Sequence, residues 1–196
     1  MLILPLFRMN VFADTNTEMR GVWISSVYNM DWPKTKNNIQ TQKSEYIELL
    51  DKLKSVGMNT VIVQIRPKSD ALYKSSINPW SEYLTGTQGK DPGYDPLTFL
   101  IDEAHKRGME FHAWLNPYRI TTSGTDTSKL APNHPARLHP EWVAKHTISN
   151  GEALMYNPGL PEVRQHIVDT VKEIVSNYNV DGIHFDDYFY RSGIED

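Results

Sequence analysis

No cysteine occurs among the 196 residues. That excludes disulfide staples and thiolate metal sites, and it leaves the redox compartment undecided. A basic cluster is also missing. The net charge is -4 and the lysines and arginines are scattered. Phosphate binding needs a concentrated basic face, so nucleic acid is not an expected partner. There is no low-complexity tract, and no apolar run is long enough to span a bilayer. What remains is a globular composition, 39% apolar and 22% charged. The length suits one domain with a real core.

Residues 1–17 stand apart. Met1 to Phe7 is apolar except for its proline, and the character resumes at Val11-Phe12-Ala13. This reads either as the tail of a secretory signal, with Val11-x-Ala13 as a small-residue cleavage site, or as a disordered N-terminus. A basic leader is missing and Arg8 interrupts the apolar stretch. Residues 18–196 form the domain proper.

Within it, helix and strand alternate. Three helix-to-strand joints look alike: Ser55-Val56-Gly57-Met58-Asn59, Lys106-Arg107-Gly108 and Asn177-Tyr178-Asn179. In each, Gly or Asn is expected to supply the left-handed residue that ends a helix. The helices are predicted over Glu45–Val56, over Leu97–Arg107 behind an Asp95 cap, and from Pro161 through Val175. The strands are predicted at Gly21–Val27, Thr60–Ile65, Met109–Leu115 and Val180–Asp186. The order βαβαβαβ implies a parallel sheet with right-handed crossovers.

Strand parity gives sharper information, because successive side chains alternate faces. One face carries Val22, Ile24, Val61, Val63, Ile65, Phe111, Ala113, Leu115, Ile183 and Phe185, and should meet the helices. The other carries Trp23, Ser25, Gln64, Arg66, His112, Trp114, Asn116, His184 and Asp186. An open sheet covered on both sides is apolar on both. A second face that turns polar toward the strands' C-terminal ends is what a barrel interior shows where it opens into a site. The connections after two strands, Pro67 to Gly93 and Pro117 to Gly159, are long and aromatic. Elaboration of that one rim fits a barrel's catalytic face. A complete eight-fold barrel needs about 250 residues, so the expected fold is a (β/α)8 TIM barrel of which only the first half, strands 1–4, is present. Two open edges would then favour self-association.

Four motifs run in order: Arg20-Gly21-Val22-Trp23-Ile24-Ser25, Gln64-Ile65-Arg66-Pro67-Lys68-Ser69-Asp70, His112-Ala113-Trp114-Leu115-Asn116-Pro117-Tyr118-Arg119, and Asp181-Gly182-Ile183-His184-Phe185-Asp186-Asp187-Tyr188. Together they resemble the glycosyl-hydrolase-like 10 family of bacterial barrel proteins. The resemblance implies an exported or lipoprotein-type envelope enzyme that cleaves glycosidic bonds, in some relatives those of peptidoglycan glycan. No cofactor is expected, and no residue is assigned as a metal ligand in this reading.

Glycoside hydrolysis generally needs two carboxylates flanking the scissile bond. Asp186, at a strand tip on the inward face, is the first candidate. Asp187 is a second, although alternation turns it to the other face, where a cap or salt bridge is an equal reading. Asp70, in the loop after the second strand, is either a partner acid or a loop-closing acid paired with Lys68 or Lys74. Arg66 is expected either to orient Asp186 or to balance interior charge. Gln64, His112, Asn116 and His184 suit sugar hydroxyls, with Tyr188 beside them. Trp23, Trp114 and Tyr118 suit stacking on pyranose faces, while Trp32 and Trp80 either stack or hold loops down. The last strand departs from the DGxDxDxE run of chitinase-like barrels, since His184 and Tyr188 replace acids there. Two other readings stay open: a metal-dependent polysaccharide deacetylase with His112 and His184 as ligands, and a non-catalytic glycan-binding fragment.

Overall fold

The computed structural model describes residues 18–186. Four parallel strands, β1 (Gly21–Ile24), β2 (Thr60–Arg66), β3 (Glu110–Leu115) and β6 (Gly182–Phe185), make one sheet in the order β1-β2-β3-β6. Each pair is joined by a crossover. The helices are α1 (Ile39–Ser55), the single turn α2 (Glu82–Thr85), α3 (Pro96–Lys106), the single turn α4 (Pro135–Leu138) and α5 (Pro161–Asn177). The fold is α/β and barrel-like in part, as expected from the alternation.

Caps explain the helix starts. Asp95 accepts from the amides of Leu97 and Thr98, and Pro96 follows it in the first turn. Helix α1 begins six residues before its expected start. Asn38 accepts from the Thr41 amide there, and the early turns carry too few apolar residues to show a periodicity. Gly57 and Gly108 end α1 and α3 at φ +85° and +62°. Open space surrounds both positions, so the requirement for glycine is conformational and not steric. The third joint differs from expectation. Tyr178 leaves α5 in extended backbone, and its hydroxyl donates to Asp95 Oδ2 at 2.7 Å, tying the end of α5 to the start of α3.

The apolar sheet face packs as parity predicts. Ile24, Val61, Val63, Ile65, Phe111, Ala113 and Leu115 form one buried cluster with Tyr46, Leu50, Leu97, Leu100, Ala104 and Ile174 of the helices. Each such side chain contributes about 1.5–3 kcal/mol by leaving water. Phe185, predicted on the same face, is instead 44% exposed. It lies on the outermost strand, and among the described residues no helix follows that strand.

The segment Pro117–Gly159, read as a long connection, contains a hairpin. Strands β4 (Val143–Ile148) and β5 (Gly151–Tyr156) pair antiparallel around Ser149-Asn150. Its own small core joins Ile120, Leu130, Ala136, Leu154, Tyr156 and Val163. The strand predicted over Gly21–Val27 also stops short, at Ile24. The Gln64 carboxamide oxygen draws the amides of Ser26 and Val27 out of the ladder.

Candidate functional site at the strand tips

Register puts the inward residues in tiers. Trp23, Ile62, His112 and Gly182 are level, and Gln64, Trp114 and His184 form the next tier. Leu115 and Phe185 are the last registered pair of β3 and β6. Asn116 and Asp186 therefore stand one step beyond, side by side at the C-terminal rim.

Trp23, Trp114 and His184 come together on this face. The Trp23 and Trp114 rings meet edge to face with centroids 4.7 Å apart. Trp23 and His184 do the same at 4.2 Å. Trp23 stays 43% exposed while Trp114 is buried. The indole Nε1 of Trp114 and Oδ1 of Asp186 are buried and have no hydrogen-bond partner among the described residues. Five other buried side-chain atoms among the described residues, Asp70 Oδ1 included, also lack a partner, so it is the place of these two that distinguishes them. Here they lie on one face of neighbouring strands.

Gly182 shows why the Asp-Gly pair opens β6. A Cβ there would stand 2.9 Å from Nδ1 of His112 and 3.0 Å from its Cγ. Asp181 accepts from the Phe111 amide and from His105 Nε2, both at 2.7 Å. Against the upward pull of burial, these contacts hold its carboxyl below the usual range. Asp181 docks β6 onto β3 at the end away from the site, as a turn acid should.

Several predicted ligand residues are instead part of the wall. The Gln64 oxygen accepts from Ser25 Oγ at 3.1 Å, Ser26 N at 3.2 Å and Val27 N at 3.0 Å. It fastens the tip of β1 rather than facing a ligand. Arg66 is fully buried. It donates to Asn78 Oδ1 at 3.2 Å and to the carbonyls of Asn116 at 2.7 Å and Pro117 at 3.1 Å. A register shift between Gln64 and Arg66 pairs Arg66 with Leu115, which turns it toward His166 of α5, 3.5 Å away. The bulge breaks strict alternation at that point, so Arg66 braces the rim and does not orient Asp186.

Asp70 is also fully buried. Its Oδ2 accepts from Gln88 Nε2 at 3.0 Å and lies 4.0 Å from Lys68 Nζ. Burial pushes its carboxyl up, against the pull of Lys68, whose ammonium is engaged by Glu82. This is the loop-closing arrangement, and it leaves the carboxylate shut off from solvent. His112 lies against Gly182 on the lower tier, with Nε2 3.5 Å from Glu110. Tyr118 packs on the hairpin core instead of standing over the sheet. Trp32 is buried and donates from Nε1 to the Gln42 carbonyl, holding its loop down. Asp187 and Tyr188 lie outside the described residues. Asn116 keeps its predicted place. Its Oδ1 accepts from the Arg119 amide at 2.9 Å, and it lines an open cavity.

That cavity, about 270 Å³, is bounded by Val27, Tyr28 and Met30 after β1, by Asn116 and Arg119 after β3, and by His146, Ile148 and Met155 of the hairpin. Tyr28, Met30 and the hairpin residues were not singled out by parity, because they belong to turns and to an element read as loop. The signal for the hairpin was present as Asn150-Gly151 between two short β-rich runs. Among the described residues no three His, Asp or Glu side chains cluster as a metal site would need. Among the described residues, then, no third ligand stands with His112 and His184.

The family described as glycosyl hydrolase-like 10 matches residues 18–195. The chain is 57% identical over 179 residues to the glycosyl hydrolase YngK of Bacillus subtilis, covering 91% of this chain and 34% of that protein. It is 43% identical over 188 residues to the glycosyl hydrolase DigH of Escherichia coli K12, covering 88% and 42%. It thus spans well under half the length of these curated relatives. Among solved structures, a maltogenic alpha-amylase from Thermotoga neapolitana superposes with a TM-score of 0.52 at 16% identity, over 86% of this chain and 39% of that one. The alpha-galactosidase from Lactobacillus brevis gives 0.53 at 15% identity, over 86% and 20%. Those likenesses concern the fold alone, a parallel α/β arrangement that is barrel-like in part.

Proposed function

Because this chain belongs to the glycosyl hydrolase-like 10 family, we propose that it carries part of the active centre of a glycoside hydrolase. Its substrate is a bacterial cell-envelope polysaccharide, of the peptidoglycan glycan type, and its setting is the exported envelope compartment. The observation that carries this reading is Asp186. Its carboxylate stands at a strand tip on the rim, one step above the Trp114–His184 tier, and Oδ1 has no partner among the described residues. Aromatic edges beside a carboxylate suit a pyranose, whose C–H groups pack on rings while its hydroxyls take hydrogen bonds. The relatives named above are called glycosyl hydrolases, which supports the reaction class.

In this reading Asp186 is one of the two carboxylates that flank the scissile bond. Asn116, at the same level on β3, hydrogen-bonds a sugar hydroxyl. Trp23, which is 43% exposed, contacts the sugar, with Trp114 packed against it at 89°.

The test uses the full gene product and soluble peptidoglycan-type glycan strands. Asp186→Asn should lower the hydrolysis rate by about 10²–10⁴-fold, the usual worth of a positioned acid or base, with an unchanged melting midpoint. Activity within twofold of wild type would overturn the assignment. A chelator should leave wild-type activity intact. Loss that zinc restores would favour the metal-dependent deacetylase instead.

A further inference from the structure

Three open cavities lie along the rim and share lining residues. The first, described above, is about 270 Å³. A second, about 520 Å³, lies between Tyr28 and the hairpin turn at Ser149 and Asn150. A third, about 540 Å³, lies between Lys68, Glu82 and Gln88 after β2 and the segment around Ser123 and Lys129. Thr122 lines all three. Its segment is bonded along β5: Ile120 N and Thr121 N both donate to the Leu154 carbonyl, and Gly124 N donates to that of Glu152. The three cavities therefore adjoin one another along a segment that is hydrogen-bonded to β5. Each is of the order that takes a small ligand alone. In series they fit a chain of linked units better than a single terminal sugar.

Tyr28 stands where the first two cavities join, lining both. Its side chain is 64% exposed. Its backbone is left-handed, at φ +58° and ψ +16°, and Asn29 follows at φ +55°. For a bulky residue this conformation costs about 1–2 kcal/mol, so the neighbours must impose it. They do. The Asn29 side-chain amide donates to the carbonyls of Pro33 and Tyr83, and Gln64 holds the amides of Ser26 and Val27. A rigid, strained turn thus displays an aromatic ring to solvent, where burial gives it nothing. Glycine or asparagine would fit the backbone better.

We propose that Tyr28 is a sugar-stacking platform in a groove for a linear polysaccharide chain, contacting a ring removed from the bond that is cut. The proposal rests on the glycosidase reading and adds to it a residue that contacts the polysaccharide away from the bond that is cut and fixes its register.

The test measures binding without turnover, in the full gene product carrying Asp186→Asn, by calorimetry with soluble N-acetylated glycan oligosaccharides from disaccharide upward. Affinity should rise with length. Adding Tyr28→Ala should weaken the longest oligosaccharide about tenfold, near the upper worth of a ring contact, and flatten the length dependence. Tyr28→Phe should retain the affinity. Tyr28→Gly should lose it while melting a few degrees higher, because it removes the strain along with the ring. A structural role predicts the reverse, with Gly and Ala both melting lower. A parent that binds and a Tyr28→Ala variant that binds equally overturns this inference alone. A parent that binds no glycan of any length overturns the glycosidase reading and this inference with it.

Discussion

His112 and Gly182 illustrate how single residues set this site. The imidazole fills the space a Cβ at 182 would need, at 2.9 Å. Gly182→Ala should therefore cost about 1–3 kcal/mol, the usual range for overpacking. The double variant with His112→Ala should recover most of it, because the clash is with that ring. Equal destabilisation in single and double variants, by chemical denaturation, would refute the account. Parity made Trp114, Asn116, His184 and Asp186 legible, since alternation holds wherever the ladder is regular. It misplaced Arg66 because a one-residue bulge after Gln64 leaves no mark in the residue types. It counted Gln64 as a ligand group because composition does not reveal which backbone amides lie within reach.

At the scale of elements, the β4–β5 hairpin decides the shape of the rim. Two buried histidines lie beneath it. His134 opens α4 and accepts the Ala136 amide through Nδ1. His166 of α5 lies beside Trp142 and Tyr156, with ring centroids 5.6 and 5.5 Å away. Burial first, and then Arg66, push both pKa values down to about 3. In the unfolded chain each titrates near 6.5. Between those values the unfolded state binds more protons, so the contribution is full above pH 6.5 and is lost as pH falls toward 3. The slope limit is about 1.4 kcal/mol per pH unit for each histidine. Asp70 acts with the opposite sign, since its folded carboxyl is raised, so the histidine term is isolated by comparing wild type with a histidine variant between about pH 7 and 5. There the melting midpoint should fall on acidification, and His166→Gln should reduce the slope. A slope identical to wild type would sink this explanation. The same element has its own core, so Leu154→Ala should cost about 2–5 kcal/mol and raise hydrogen exchange in β4 and β5 more than in β2. Uniform loss of protection would mean that the hairpin and the sheet unfold as one unit. Sequence periodicity overlooked the hairpin because its alternation is weak, with His146 and Lys145 among its residues.

At the scale of the whole molecule, the described residues present a four-stranded sheet with β1 and β6 outermost among them. Trp23 and Phe185 are both more than two-fifths exposed. Unpaired edges beside exposed aromatics favour pairing with another chain. The 196-residue chain by itself is expected to self-associate in solution, with an apparent mass that rises with concentration in sedimentation equilibrium. A monomer with a sharp, reversible melt across that range would contradict this.

The residue order alone determined the alternation of helices and strands, the family, and which sheet face meets the helices. Those follow from local periodicity and caps, which need no knowledge of distant contacts. Only the tertiary structure decided that Arg66 and Asp70 belong to the wall and that a hairpin roofs the rim. It alone showed that Tyr28 stands exposed between two cavities. Each of these depends on a register shift, a burial or a turn imposed by residues far away in the chain, and side-chain identity does not encode such things one position at a time.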